Sequence, residues 1–186
     1  MLLLVAVLAG CAPAAARLSG PTSVPAPRGA VYVLGDSLTV GMMPYLARLL
    51  PGRSVEIDGK IGRTTTDGAA IVATMRASFP PTVVVALGTN DAESAQQFSA
   101  LVNQIMALLG ARRVVWVNIA KPGDQAFDND LNLAKSRYRN LEVIDWASIM
   151  AAHPQDLLAD GIHCTDAGYR LRATVIASVL QGRSQV

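Results

Sequence analysis

The run Thr82-Val-Val-Val-Ala-Leu87 is apolar at every position after its first residue, and Pro80-Pro81 and Gly88 bound it. A strand with one wet face alternates apolar and polar residues, so an unbroken apolar run of this length fits a strand covered on both faces. Four other short runs punctuate the chain: Val31–Leu34, Arg53–Ile57, Arg113–Asn118 and Leu141–Asp145. Between and after them lie stretches with helical spacing, at Leu38–Leu50, Thr66–Ser78, Ala92–Leu109, Asp128–Tyr138 and Thr165–Leu180. Strands that alternate with helices are joined by crossovers, and crossovers give a parallel sheet with helices on both sides.

The expected fold class is therefore α/β, a three-layer α/β/α sandwich around a five-stranded parallel sheet in a flavodoxin-like layout. Its strand order is not legible. The chain has 186 residues, enough for one domain with a sizeable core. A formal charge of +2 with no basic stripe argues against nucleic acid as a partner. Two cysteines, Cys11 and Cys164, exclude a disulfide framework, and with two histidines they give no metal signature. No cofactor and no protein partner are expected.

Residues 1–10 hold a short apolar run, Leu2–Ala9, too short to span a bilayer. Leu8-Ala-Gly-Cys11 resembles the lipobox of a bacterial lipoprotein signal, in which the cysteine is acylated and becomes the mature N-terminus. No Lys or Arg precedes the run, and a frayed apolar terminus is the competing reading. Residues 11–28 are rich in Ala, Pro, Ser and Gly and read as a tether, leaving residues 29–183 as the folded domain. Export, with membrane association through lipidated Cys11 only, is the expectation.

The chemistry sits where the strands end. Val31-Tyr-Val-Leu34 runs into Gly35-Asp36-Ser37 and then a helix. This presents Ser37 at the carboxyl edge of the sheet and at a helix N-terminus, where amides favour negative charge. The second strand is followed by Asp58-Gly-Lys-Ile-Gly62-Arg63, and the third by Gly88-Thr-Asn90-Asp91. Asp160-Gly-Ile-His163 precedes the last helix. A serine hydroxyl needs a base, and His163 supplies one. Asp160, three residues earlier, reaches the other ring nitrogen across a turn. The Ser37 N–H, the Gly62 N–H and the Asn90 side chain are candidate donors to an oxyanion. Lys60 and Arg63 flank Gly62 and read either as anion-binding or as solvated surface. Asp91 reads as a cap or loop-fixing carboxylate, Cys164 as a buried or half-buried small residue, and Trp116 and Trp146 as core.

Taken together, these residues resemble the SGNH (GDSL) hydrolases. The serine block matches Gly35-Asp36-Ser37-Leu38, the glycine block Gly62, the asparagine block Gly88-Thr-Asn90-Asp91 and the last block Asp160-Gly-Ile-His163. The resemblance covers residues 30–181 and implies the SGNH hydrolase fold, no metal and serine-dependent ester chemistry. Asp58-Gly-Lys-Ile-Gly-Arg63, Val143-Ile-Asp-Trp146 and Asp160-Gly-Ile-His-Cys-Thr165 look like extracytoplasmic SGNH domains attached to membrane acyltransferases. Position 39 is Thr, so no G-x-S-x-G elbow is present. The expected activity is hydrolysis of carboxylic esters, with short acyl or O-acetyl groups, on a small ester or an acylated envelope glycan. The alternatives are an O-acyltransferase using the same site and a non-catalytic envelope binding protein with this fold.

Overall fold

The computed structural model describes residues 29–183, so the signal, the tether and Cys11 lie outside the described residues. Five strands, β1 (Val31–Gly35), β2 (Val55–Gly59), β3 (Thr82–Ala86), β4 (Arg113–Val117) and β5 (Leu141–Ile144), form one parallel sheet in the order β2-β1-β3-β4-β5. The α/β expectation holds, and the order places the ends of β2, β1 and β3 side by side. Gly35 pairs with Gly59 on one side and Ala86 on the other, so these three strands end level.

Period-two alternation sorts the strand residues into two cores. Tyr32, Leu34, Val83, Val85, Val114 and Trp116 face α2 (Thr65–Met75), α3 (Ala95–Leu109) and α4 (Gln125–Arg137). Val31, Val33, Val84, Ala86, Val115 and Val117 face α1 (Ser37–Leu46), α5 (Trp146–Ala152) and α6 (Asp166–Leu180). Both tryptophans are fully buried.

The helices begin where capping chemistry puts them. Ser94 accepts from Gln97 N–H while the Gln97 side chain accepts from Ser94 N–H, which starts α3 at Ala95 rather than Ala92. Thr64 and Asp67 form the same box at α2, and the Thr165 hydroxyl caps α6. The helical run after β1 ends as an α-helix at Leu46 and tightens to a 3₁₀ turn over Ala47–Leu49.

Strand β2 and helix α5 also differ from expectation. Strand β2 spans Val55–Gly59 instead of Arg53–Ile57. Asp58 looked like a loop residue because it is charged. On an edge strand its carboxylate can stay polar, accepting from Tyr32 Oη at 3.0 Å and pairing with Arg63 at 2.7 Å. Helix α5 was not anticipated, because seven residues are too few to show a helical period. Its cap is Asp145, which ends the apolar run of β5 and accepts from Ser148 N–H at 3.1 Å.

Helix α6 meets the 154–156 turn at Gly168. A Cβ there would lie 2.5 Å from the Asp156 carbonyl oxygen and 2.8 Å from Cys164 Cβ. Gly168→Ala gains up to about 1 kcal/mol of helix propensity, but overpacking against fixed backbone costs about 1–3 kcal/mol. A net loss of roughly 0.5–2 kcal/mol is expected from urea unfolding. A more stable variant would show that the turn yields.

Candidate active site

The segment from Asp156 to Thr165 folds back on itself. Leu157 and Cys164 form an antiparallel bridge. Leu158 N–H donates to His163 O at 2.7 Å, Gly161 N–H to Leu158 O at 3.0 Å and Thr165 N–H to Asp156 O at 2.8 Å. The turn between carries Asp160 and His163. Asp160 Oδ1 accepts from the N–H groups of Ile162 and His163, both at 2.9 Å, and Oδ2 lies 2.7 Å from His163 Nδ1. The Ile162 N–H, the His163 side chain and the His163 N–H hold the Asp160 carboxyl down to about 2. It is a charged acceptor at neutral pH and fixes one ring nitrogen of His163 as the donor.

The other ring nitrogen, Nε2, lies 3.0 Å from Ser37 Oγ. Ser37 is the first residue of α1, and Asp36 caps that helix by accepting from Leu38 N–H at 2.9 Å. Segments 126 residues apart thus join in one chain: hydroxyl, imidazole, carboxylate. Deprotonation of the hydroxyl by the imidazole is within reach of this geometry.

The three donors proposed for an oxyanion come from the level ends of β1, β2 and β3. Gly62 is the third residue of a turn closed by Arg63 N–H on Lys60 O at 3.2 Å, and its φ of 74° requires glycine. A Cβ there would meet nothing within 4 Å, so backbone conformation and not space sets the residue. Asn90 Nδ2 donates to Arg63 O at 3.1 Å, which leaves its second N–H for another acceptor. Neither the Ser37 nor the Gly62 N–H has an acceptor among the described residues.

Arg63 was read as an anion site or solvated surface, and it is neither. It is 5% exposed. Nη1 donates to Gly35 O at 3.0 Å and Asp58 O at 2.6 Å, and Nη2 to Asp58 Oδ1 at 2.7 Å. It staples the Gly62 loop to the ends of β1 and β2. Its only sequence signal is Asp58 five residues earlier, which looks like any surface charge pair. Asp91 fixes the same loop from the far side, Oδ1 accepting from Thr65 N–H at 2.7 Å. Burial pushes the Asp91 carboxyl up, and the Thr65 bonds oppose that. Cys164 is buried beside His163, and burial pushes its thiol up, which leaves it a poor nucleophile.

At the same edge, beyond the Asp160 turn, a cleft of about 310 Å³ is lined by Ile119, Lys121, Pro122, Met150, Leu157 and Gly161 among others. Ser37 and His163 do not line it. Among the described residues, no cluster of His, Cys, Asp and Glu is arranged to hold a metal ion, and no helix is long and apolar enough to cross a membrane.

Sheet order, the two helical layers and the hydroxyl–imidazole–carboxylate chain define a three-layer α/β/α protein of the SGNH hydrolase type. Residues 33–171 match the family of GDSL-like lipases and acylhydrolases, and the chain belongs to that family. It is 28% identical over 156 residues to O-acetyltransferase OatA of Staphylococcus aureus; the match takes in 80% of this chain but only 24% of that protein. The chain thus spans about a quarter of the length of the curated relatives it matches. The fold is similar to the C-terminal catalytic domain of Streptococcus pneumoniae peptidoglycan O-acetyltransferase A, solved with a methylsulfonyl adduct (TM-score 0.70, 20% identity, 83% of this chain and 93% of that one). It is equally similar to a lipase/acylhydrolase from Enterococcus faecalis (TM-score 0.69, 24% identity, 82% and 95%).

Proposed function

We infer that this protein is a serine-dependent carboxylic ester hydrolase acting on short acyl or O-acetyl groups. The observation that carries the reading is the hydrogen-bonded chain from Ser37 Oγ through His163 to Asp160, in a chain of the GDSL-like lipase/acylhydrolase family. In this reading Ser37 Oγ attacks the acyl carbonyl and gives its proton to His163 Nε2. The oxyanion accepts hydrogen bonds from the Ser37 and Gly62 N–H groups and the Asn90 amide. The ester C–O bond breaks as His163 protonates the departing alcohol. Water then attacks the acyl-Ser37 ester, His163 takes its proton, and the proton returns to Oγ as the acid leaves. Among the described residues no long insertion separates the elements to form a lid, which supports short acyl groups.

Treated with a serine-directed organophosphate, the protein is expected to gain one adduct, mapped to Ser37 by peptide mass spectrometry, and to lose esterase activity in step. Esterase activity that survives Ser37→Ala would falsify the reading.

The similarity to O-acetyltransferase OatA favours a second reading, in which a sugar hydroxyl replaces water as acceptor of the same acyl group. Product analysis with an oligosaccharide acceptor separates transfer from hydrolysis. Export belongs to the same proposal. Acylated Cys11 would anchor the domain through residues 11–28 within reach of envelope glycans, which membrane fractionation of the protein and of Cys11→Ser tests.

A further inference from the structure

Basic residues are scattered along the chain, and the fold gathers them. The first residues of the strands stand level: Val31 pairs with Val55 and Thr82, Thr82 with Arg113, and Val114 with Leu141. Helices α2, α3, α4 and α6 end at this amino edge of the sheet, as does the 3₁₀ turn over Ala47–Leu49. Arg48, Arg76, Lys135, Arg137, Arg139 and Arg183 lie in those last turns or just after them, and all are exposed. Hydrogen bonds between the connections make them one face. Gln181 Nε2 donates to Leu49 O at 2.9 Å, Arg53 Nη2 to Leu180 O at 2.9 Å, Arg112 Nη2 to Arg76 O at 3.0 Å and Asn140 Nδ2 to Arg112 O at 2.7 Å. Arg113 Nη2 ties the two groups together by donating to Val179 O at 2.8 Å.

Helix ends are the ordinary reason for cations in such places, because their last carbonyls carry negative charge. That accounts for Arg53, Arg112 and Arg113, which donate to carbonyls at the ends of α3 and α6. Arg113 also pairs with Glu142 at 2.7 Å. It does not account for Arg48, Arg76, Lys135 and Arg139, none of which has a carboxylate within ion-pair distance among the described residues. Acidic residues are sorted the other way. Apart from Glu56 and Glu142, all lie at the carboxyl edge, in the first two turns of a helix that starts there, or in the 154–165 segment that carries Asp160 and His163. The formal charge of +2 therefore hides a domain that is basic at one end and acidic at the other. A five-residue strand holds the two edges roughly 16 Å apart. Charges are screened over roughly 8 Å in physiological salt, so the acidic edge does not cancel the basic one.

The chain enters at the basic end. Residues 1–28, with the apolar run Leu2–Ala9 and Cys11, lead into Gly29 and β1. A membrane reached through that stretch meets the amino edge first. All but one of the exposed cations there are arginine, whose planar donors suit phosphate. A polyanion in solution would meet the same charge, but it gives no reason for the chain to enter at that edge. We propose that the amino edge of the sheet is a docking surface for an anionic phospholipid bilayer, holding Ser37 and His163 on the side turned away from the membrane. The inference does not need the hydrolase reading, and it shares with the export proposal only the premise that residues 1–28 reach a membrane.

The test is co-sedimentation of the full chain, carrying Cys11→Ser so that no acyl group contributes, with vesicles of phosphatidylcholine alone or with about one phosphatidylglycerol in three lipids. In about 0.1 M salt the anionic vesicles are expected to bind at least about 100-fold more tightly, and in about 1 M salt the advantage should disappear. Arg48→Gln, Arg76→Gln and Arg139→Gln together should weaken anionic binding about 100-fold, roughly fivefold for each charge. Lys60→Gln with Arg170→Gln removes charge from the carboxyl end and should change it less than about twofold, whereas attraction by net charge alone would cost the same per residue at either end. Equal binding to both kinds of vesicle overturns the inference. So does a Lys60→Gln, Arg170→Gln loss as large per charge as the one at the amino edge, or tighter binding to duplex DNA than to anionic vesicles in the same salt. If the triple variant does not fold, as read by far-UV circular dichroism, Arg76→Gln and Arg139→Gln singly decide, each with an expected loss of about fivefold. A Cys11 found without an acyl group would overturn the anchor instead and leave this surface standing.

Discussion

Ser37→Ala and His163→Ala are each expected to lower kcat/KM on short acyl esters by about 10⁴-fold or more, and the double variant by little beyond either one alone. The reason is that in the proposed mechanism the two side chains act as one device. The imidazole has nothing to deprotonate once the hydroxyl is gone, and the hydroxyl is a weak nucleophile once the imidazole is gone. What remains in each case is substrate binding and the oxyanion donors. Steady-state kinetics of the three variants checks this, with far-UV circular dichroism to confirm folding. Ser37 and His163 are both partly exposed, and their mutual hydrogen bond is part-buried, so neither deletion should unfold the domain. Multiplied losses in the double variant would mean that the residues act independently, and the hydrogen bond between them would then have no catalytic meaning.

Much of this site can be read from the chain because its chemistry is local in sequence. Asp160 and His163 are three residues apart, and one turn brings them together. Gly35-Asp36-Ser37 announces a strand that stops and a helix that starts. The long-range step, from Ser37 to His163, is legible only through the fold: parallel strands put every outgoing loop on one edge. That rule places residues near one another without giving distances, and the 3.0 Å contact needs α6 packed on α1.

Two arginines were illegible for a different reason. Arg63 and Arg172 are polar residues doing buried work, and polarity in a sequence reads as surface. Arg172 lies on the inward face of α6 with Gly168 and Ile176 four residues to either side, which is the one hint that it points in. Arg63 has no such periodicity around it. Strand β2 was misplaced by two residues on the same grounds, since Asp58 pairs with Arg63 on the edge strand while keeping one side toward water.

Asn90→Ala and Arg63→Met should separate the chemistry of the oxyanion loop from its scaffold. Asn90 is part-buried, and among the described residues its side chain bonds to Arg63 O. In the proposed mechanism truncation removes a donor to the oxyanion, and such donors are worth about 10²–10³-fold in kcat. Stability should change by no more than about 1 kcal/mol, the net worth of one ordinary hydrogen bond. Arg63→Met acts one bond further back. It strips three hydrogen bonds from Gly35 O, Asp58 O and the Asp58 carboxylate. Breaking a buried pair costs about 3–5 kcal/mol. Asp58 is 32% exposed on its side chain, so water recovers part of this, and about 2–4 kcal/mol is expected from urea unfolding. Activity should fall as well, because Gly62 and Asn90 both lose the fixed backbone they hang from. The two variants therefore differ in kind: one loses kcat on an intact fold, the other loses both together. If Arg63→Met were destabilised yet kept wild-type kcat, the Gly62 loop would hold its shape without the staple. The turn closed by Arg63 N–H on Lys60 O and the bond from Thr65 N–H to Asp91 would then be sufficient to present the oxyanion donors.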